Sequence, residues 1–101
     1  MPRPKLEDFD PQLVRLSAFA RALSHPARVA ILRFLGQQGE SAAMAIVNEL
    51  PLSQPACSRH LRELVEVGLI KGRTKGSNIF YTLESKALDR FCQSMSKTLH
   101  S

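Results

Sequence analysis

Between Leu52 and Leu83 the hydrophobic period of the chain changes from that of a helix to that of a strand. That change restricts the available folds more than any other feature. The stretch reads LSQPACSRHLRELVEVGLIKGRTKGSNIFYTL. Ser53 is placed as a helix N-cap, its hydroxyl accepting from a free backbone N–H of the first turn. Pro55 follows within that turn, where a missing N–H costs little. Cys57, Leu61, Leu64 and Val65 then supply one apolar face at helical spacing. Gly68 offers the left-handed residue that ends such a helix. From Ile70 the period is two, and Ile70 to Arg73 and Asn78 to Leu83 predict strands joined through Thr74-Lys75-Gly76-Ser77.

The polar side of this helix carries Gln54, Ser58, Arg59 and Arg62, with His60 at its edge and Ser53 at its start. Arginine pairs two-pronged with guanine and glutamine with adenine, each such pair contributing about 1–3 kcal/mol of discrimination. Lys71, Arg73 and Lys75 add a cationic hairpin suited to phosphate or to a minor groove. The plainer alternatives are an exposed helix surface and a hairpin charged to prevent edge pairing. A helix with polar readers at its N-terminal end followed by a basic hairpin is the pattern of a winged helix-turn-helix DNA binder. The predicted DNA contacts are Ser53, Gln54, Ser58, Arg59, His60, Arg62, Lys71, Arg73 and Lys75.

The surrounding chain fits a mainly α fold of about five helices and a two-stranded antiparallel wing. Residues 1–9 read as a flexible basic leader and residues 10–101 as the winged-helix domain. Asp10-Pro11 starts a first helix with Leu13, Leu16, Phe19, Ala20 and Leu23 on one stripe, widened by Val14. Ser24-His25-Pro26 starts a nearly apolar, central second helix with Arg28 and Arg33 on its exposed side, and 36–39 reads as a loop. Ser41 is the expected cap of a third helix ending near Leu50, and Pro51-Leu52 makes the tight turn into Ser53. After Leu83 a last helix carries Leu88, Phe91, Cys92, Met95 and Leu99 on one stripe. Apolar stripes on both terminal helices predict a homodimer interface built from Leu13, Leu16, Phe19, Ala20, Leu88, Phe91, Cys92, Met95 and Leu99.

A net charge of +5 and a pI near 9.8 favour a polyanionic partner, double-stranded DNA first. No signal-peptide core and no run of apolar residues long enough for a bilayer is present, which predicts a cytoplasmic protein without membrane contact. Two cysteines do not form a disulfide framework, so Cys57 and Cys92 are expected as thiols. Cys57 reads first as a small core residue, and either thiol is a candidate redox or arsenic-type sensor. Cys57 and His60 stand three apart, yet no third group or oxyanion site accompanies them, so no catalytic residue is assigned.

Three segments resemble the ArsR/SmtB family of bacterial winged-helix repressors: LSHPARVAILRFL (23–35), LPLSQPACSRHLRELVEVGLI (50–70) and KGRTKGSNIFYTL (71–83). The resemblance implies a homodimer joined through its first and last helices. It implies repression at a near-palindromic operator, relieved by an inducer that the residues do not identify. The chain departs from the family at its sensor positions. Where many members carry a Cys-x-Cys segment it has Ser41-Ala42-Ala43-Met44. Where others place Asp and His ligands on the last helix it has Ser85, Ala87 and Thr98. Neither a metal nor another cofactor is therefore expected. Two rivals remain: a thiol-based sensor repressor, and a winged-helix module whose positive face meets an acidic protein.

Overall fold

Three of the α-helices begin at a residue whose side chain caps them. In the computed structural model, which describes residues 5–101, Asp10 Oδ1 accepts from the Gln12 N–H at 2.9 Å and starts α1 (Pro11–Ala22). The His25 ring does the same for α2 (Pro26–Gln38), its Nδ1 accepting from the Ala27 N–H at 3.0 Å. Both helices have proline in the first turn, where an N–H would be unpaired anyway. α2 runs through Gly36, which the sequence had assigned to a loop, and stops at Gly39, whose φ of +76° suits glycine. Beyond it lie β1 (Ser41–Ala42) and α3 (Ala43–Glu49), then α4 (Gln54–Glu66), β2 (Ile70–Lys75), β3 (Asn78–Leu83) and α5 (Ser85–His100).

The core sits where α2, α3 and α4 meet the base of the sheet. Ile31 and Leu35 of α2, Ile46 of α3 and Leu64 of α4 are fully buried together with Leu69 and Ile70, which lead into β2. Full burial of one such side chain contributes roughly 1.5–3 kcal/mol, so this cluster fixes the angle at which α4 leaves α3. Val65, placed by its spacing on the same face, is 40% exposed. It lies at the margin of a face whose centre Leu61 and Leu64 already fill.

The sheet has three antiparallel strands in the order β1-β3-β2. The expected two-stranded wing is present as β2 and β3, paired from Ile70↔Leu83 to Lys75↔Asn78. Thr74 and Lys75, expected in the connection, instead extend β2 by pairing with Ile79 and Asn78, so Gly76 and Ser77 alone form the turn. Gly76 has a φ of +63° and Ser77 no positive φ, the pattern of a type II′ hairpin turn. The third strand corrects the reading of Ser41. Ser41 pairs with Tyr81 and Ala42 with Phe80, and the Ser41 hydroxyl donates to the Gly39 carbonyl at 3.0 Å. The cap position of α3 falls to Ala42, without a side-chain hydrogen bond. The free edge of β3 takes a partner, and that pairing outweighs one cap.

The first four residues of the expected leader lie outside the described residues. Within its remainder Leu6–Asp8 form a 3-10 turn in which Asp8 Oδ2 accepts from the Lys5 N–H at 3.2 Å. Among the described residues no helix is long and apolar enough to cross a membrane.

The two terminal helices pack on one another, with the Phe19 and Phe91 rings stacked at 5.2 Å between centroids. This divides the predicted interface residues. Leu16 and Phe91 are buried within the protomer, with Phe19, Leu88 and Met95 half-buried. Leu13, Ala20, Cys92 and Leu99 remain exposed.

Candidate nucleic-acid interface

The exposed side of α4 is set by its first turn. Ser53 Oγ accepts from the Ala56 N–H at a long 3.4 Å, which leaves the hydroxyl proton free to donate outward. Cys57, Leu61 and Leu64 then face the core. Helical spacing turns Gln54, Ser58, Arg59 and Arg62 to solvent, all exposed. Gly68, with a φ of +81°, ends the helix, and its N–H donates to the Val65 carbonyl at 3.0 Å.

His60 does not belong to this surface. Its side chain is buried, 9% exposed, and its ring stands 4.3 Å from that of His25. Arg28 Nε donates to His60 Nδ1 at 3.1 Å. Burial, followed by the charges of His25, Arg28 and Arg59, pushes the His60 imidazole below its ordinary value. The residue at the edge of the reading face is thus a neutral acceptor turned inward. Arg28, expected on an exposed side, is half-buried because it serves this contact.

The wing has two unlike faces. Strand alternation puts Gly72, Ile79 and Tyr81 on one face and Lys71, Arg73, Lys75, Phe80 and Thr82 on the other. The first face turns to the helices. The Tyr81 ring packs against the core, and a Cβ on residue 72 would stand 3.2 Å from its Cε1. Between this face and the helices runs an open groove of about 370 Å³. Gln54 and Ser58 of α4 line it with Met44 of α3 and Ser77, Asn78 and Ile79 of the wing. Met44 and Ile79 are exposed apolar residues beside the predicted contacts Gln54 and Ser58, and apolar side chains are the chemistry that meets a thymine methyl. Sequence reasoning missed them because each belongs to an element whose place beside α4 only the tertiary fold determines.

The second face is cationic. Lys71, Arg73 and Lys75 are exposed. Arg73 Nη2 donates to Glu40 Oε1 at 2.8 Å and Nε to Glu40 Oε2 at 3.2 Å. That hydrogen bond, with the Arg73 charge, holds the Glu40 carboxyl below its ordinary value. The Arg73 guanidinium carbon also stands 5.9 Å from the Phe80 ring centroid. Glu40 carries no sequence signal of its own, since its approach to Arg73 depends on the unforeseen β1. The predicted contacts thus form two clusters, one along α4 and its groove and one on the outer face of the wing.

Of the candidate thiols, Cys57 is fully buried and burial pushes its thiol up, whereas Cys92 is exposed. Among the described residues no group of three or more His, Cys, Asp or Glu gathers as a metal site would require.

Known proteins match this chain in sequence and in fold. A family model described as a helix-turn-helix domain matches residues 23–73. The arsenical resistance operon repressor of Staphylococcus xylosus is 34% identical over 79% of this chain and 76% of its own length. The chain belongs to the ArsR/SmtB family of helix-turn-helix transcriptional regulators. An ArsR-like transcriptional regulator from Rhodococcus sp. RHA1 superposes with a TM-score of 0.78 at 26% identity, over 88% of this chain and 83% of that one. A homodimeric winged helix-turn-helix DNA-binding domain from Mycobacterium bovis shares the fold, with a TM-score of 0.72 at 22% identity over 97% and 89% of the two chains. Within this ArsR fold α3 and α4 are the helix-turn-helix and β2–β3 the wing.

Proposed function

We propose that this ArsR-family regulator is a homodimeric repressor that binds a near-palindromic operator in double-stranded DNA. Each α4 would lie in a major groove, with the wing on the neighbouring backbone. The observation that carries this reading is the alignment of Gln54, Ser58, Arg59 and Arg62 on the one face of α4 that the core leaves open. Gln54, Ser58 and Arg59 read base edges, while Ser53, Arg62, Lys71, Arg73 and Lys75 hold phosphates. Two-fold symmetry would space the half-sites by about one helical turn of DNA. The exposed Leu13, Ala20 and Leu99 are the surface on which a second copy would seat.

The test is binding of the purified protein to duplexes tiled across the DNA upstream of its own gene. One segment should bind selectively. Arg59→Ala should reduce that affinity and relax selectivity, and Lys75→Ala should weaken all duplexes alike. Selective binding unaffected by both substitutions would remove this surface from the interface.

The exposure of Cys92 favours a second reading, in which a thiol on α5 senses an oxidant or a thiophilic species and releases DNA. Cys92→Ser protein that still lets go of DNA under such reagents, as the parent does, would exclude it.

A further inference from the structure

Arg73 differs from the other cations of α4 and the wing. Among the described residues it alone of them has a carboxylate partner within salt-bridge distance, at 2.8 Å. Arg59, Arg62, Lys71 and Lys75 have none. The two contacts to Glu40, from Nη2 and from Nε, form a fork on a fork. A guanidinium takes a phosphate by the same geometry. Glu40 precedes β1 and Arg73 lies on β2, so the pair spans β3, where Thr82 Oγ1 stands 3.5 Å from Glu40 Oε2. Both side chains are substantially exposed, at 54% and 40%, and exposed ion pairs stabilise folds little. Folding alone therefore gives no strong reason to set an acid on an otherwise cationic face.

We propose that Glu40 is an internal stand-in for a DNA phosphate, occupying the fork of Arg73 until a duplex displaces it. This rests on the reading that Arg73 meets phosphate. In a loose encounter with any duplex, exchanging a carboxylate for a phosphate gains little, so Arg73 stays on Glu40 and the wing holds one phosphate fewer. Where α4 has docked into matching bases, the backbone is presented at fixed distance and the exchange goes forward. Glu40 thus lowers non-specific binding more than specific binding and acts as a specificity-determining residue outside the reading face.

The test measures binding to a random-sequence duplex across a salt series for the parent, Glu40→Gln, Arg73→Gln and the double variant. Glutamine preserves the size of residue 40 and its acceptor oxygen while removing the charge. Glu40→Gln should bind about two- to fivefold more tightly, with a slope of log affinity against log salt steeper by about 0.9. In the Arg73→Gln background the same change should have no such effect. Glu66→Gln, which removes an exposed acid from the far end of α4, serves as the control for net charge. Equal or weaker binding by Glu40→Gln overturns the proposal. So does a gain that persists without Arg73 or that Glu66→Gln reproduces. A parent that binds no duplex at all overturns the DNA reading and this inference with it, whereas a parent that binds and an indistinguishable Glu40→Gln overturn this inference alone.

Discussion

Arg28 Nε donates to His60 Nδ1 at 3.1 Å, and the same guanidinium reaches from Nη1 to the carbonyls of Arg21 at 3.3 Å and Ala22 at 3.4 Å. One side chain of α2 therefore ties the last turn of α1 to the middle of α4. Both carbonyls lie in the last turn of α1, where no intrahelical N–H follows, and that of Arg21 also accepts from the Ser24 N–H at 3.1 Å and hydroxyl at 2.7 Å. The His60 nitrogen it meets must be an unprotonated acceptor for the bond to exist. The orientation of α4 is thus tied to α1 through a neutral imidazole.

Stability should consequently depend on pH through His60. Burial, then the charges of His25, Arg28 and Arg59, lowers its folded-state pKa below the ordinary 6.5, opposed by Glu63. Between those two values the unfolded chain binds a proton that the folded chain does not. The stabilisation is complete above 6.5 and declines as pH falls below it. The decline from this group ends once the folded-state pKa is passed. Urea denaturation at about pH 7.5 and about pH 5.5 should show the loss in the parent and a smaller one in His60→Asn, whose amide oxygen stands at the same remove from Cβ as Nδ1 and does not titrate. Equal losses in the two proteins would rule out His60 as the group responsible.

Replacing Arg28 itself should cost more than a surface arginine does. Arg28→Met keeps much of the stem but leaves His60 Nδ1 and two carbonyls without this donor. A loss of about 1–3 kcal/mol is expected, read from denaturant midpoints at constant m-value. Amide exchange in α4 should quicken as well, because its brace to α1 is gone. A variant within about 0.5 kcal/mol of the parent would class Arg28 with ordinary surface positions.

Much of this architecture could be read from the sequence. Ser53, Pro55 and Gly68 delimit α4, and Asp10-Pro11 and His25-Pro26 start the first two helices, because capping chemistry is local. The strand alternation after Ile70 likewise predicts β2 and β3. What escaped depends on contacts distant in sequence. The pairing of Ser41–Ala42 with β3 converts a predicted cap into a strand and brings Glu40 to Arg73. Helical spacing placed His60 at the edge of the polar face, and only the approach of Arg28 and His25 from α2 and its lead-in turns that edge into the interior.

The thiols should separate by reactivity. Cys57 is fully buried and burial raises its pKa, which suppresses the thiolate. Cys92 is exposed. A disulfide reagent added to the folded monomeric form should modify Cys92 quickly and Cys57 only on unfolding. Peptide mass mapping identifies the modified residue. Cys57→Ala should be tolerated better than Cys57→Ser, since a buried hydroxyl without a partner costs about 1–3 kcal/mol. Rapid labelling of Cys57 in native protein would contradict its place in the core.

Association and folding should respond to different residues of the terminal helices. Phe91 is buried against Phe19 within one protomer, rings 5.2 Å apart. Phe91→Ala should therefore lose about 3–5 kcal/mol of stability, whatever the state of association. Leu13 and Leu99 are 44% and 72% exposed and contribute little to the protomer core. Leu13→Asp and Leu99→Asp should leave helix content intact by circular dichroism while moving the sedimentation mass from dimer toward monomer. The double variant should also lose operator affinity, since each half-site would then be bound without its neighbour. Aspartate at both positions with an unchanged dimer mass would move the contact surface off α1 and the end of α5.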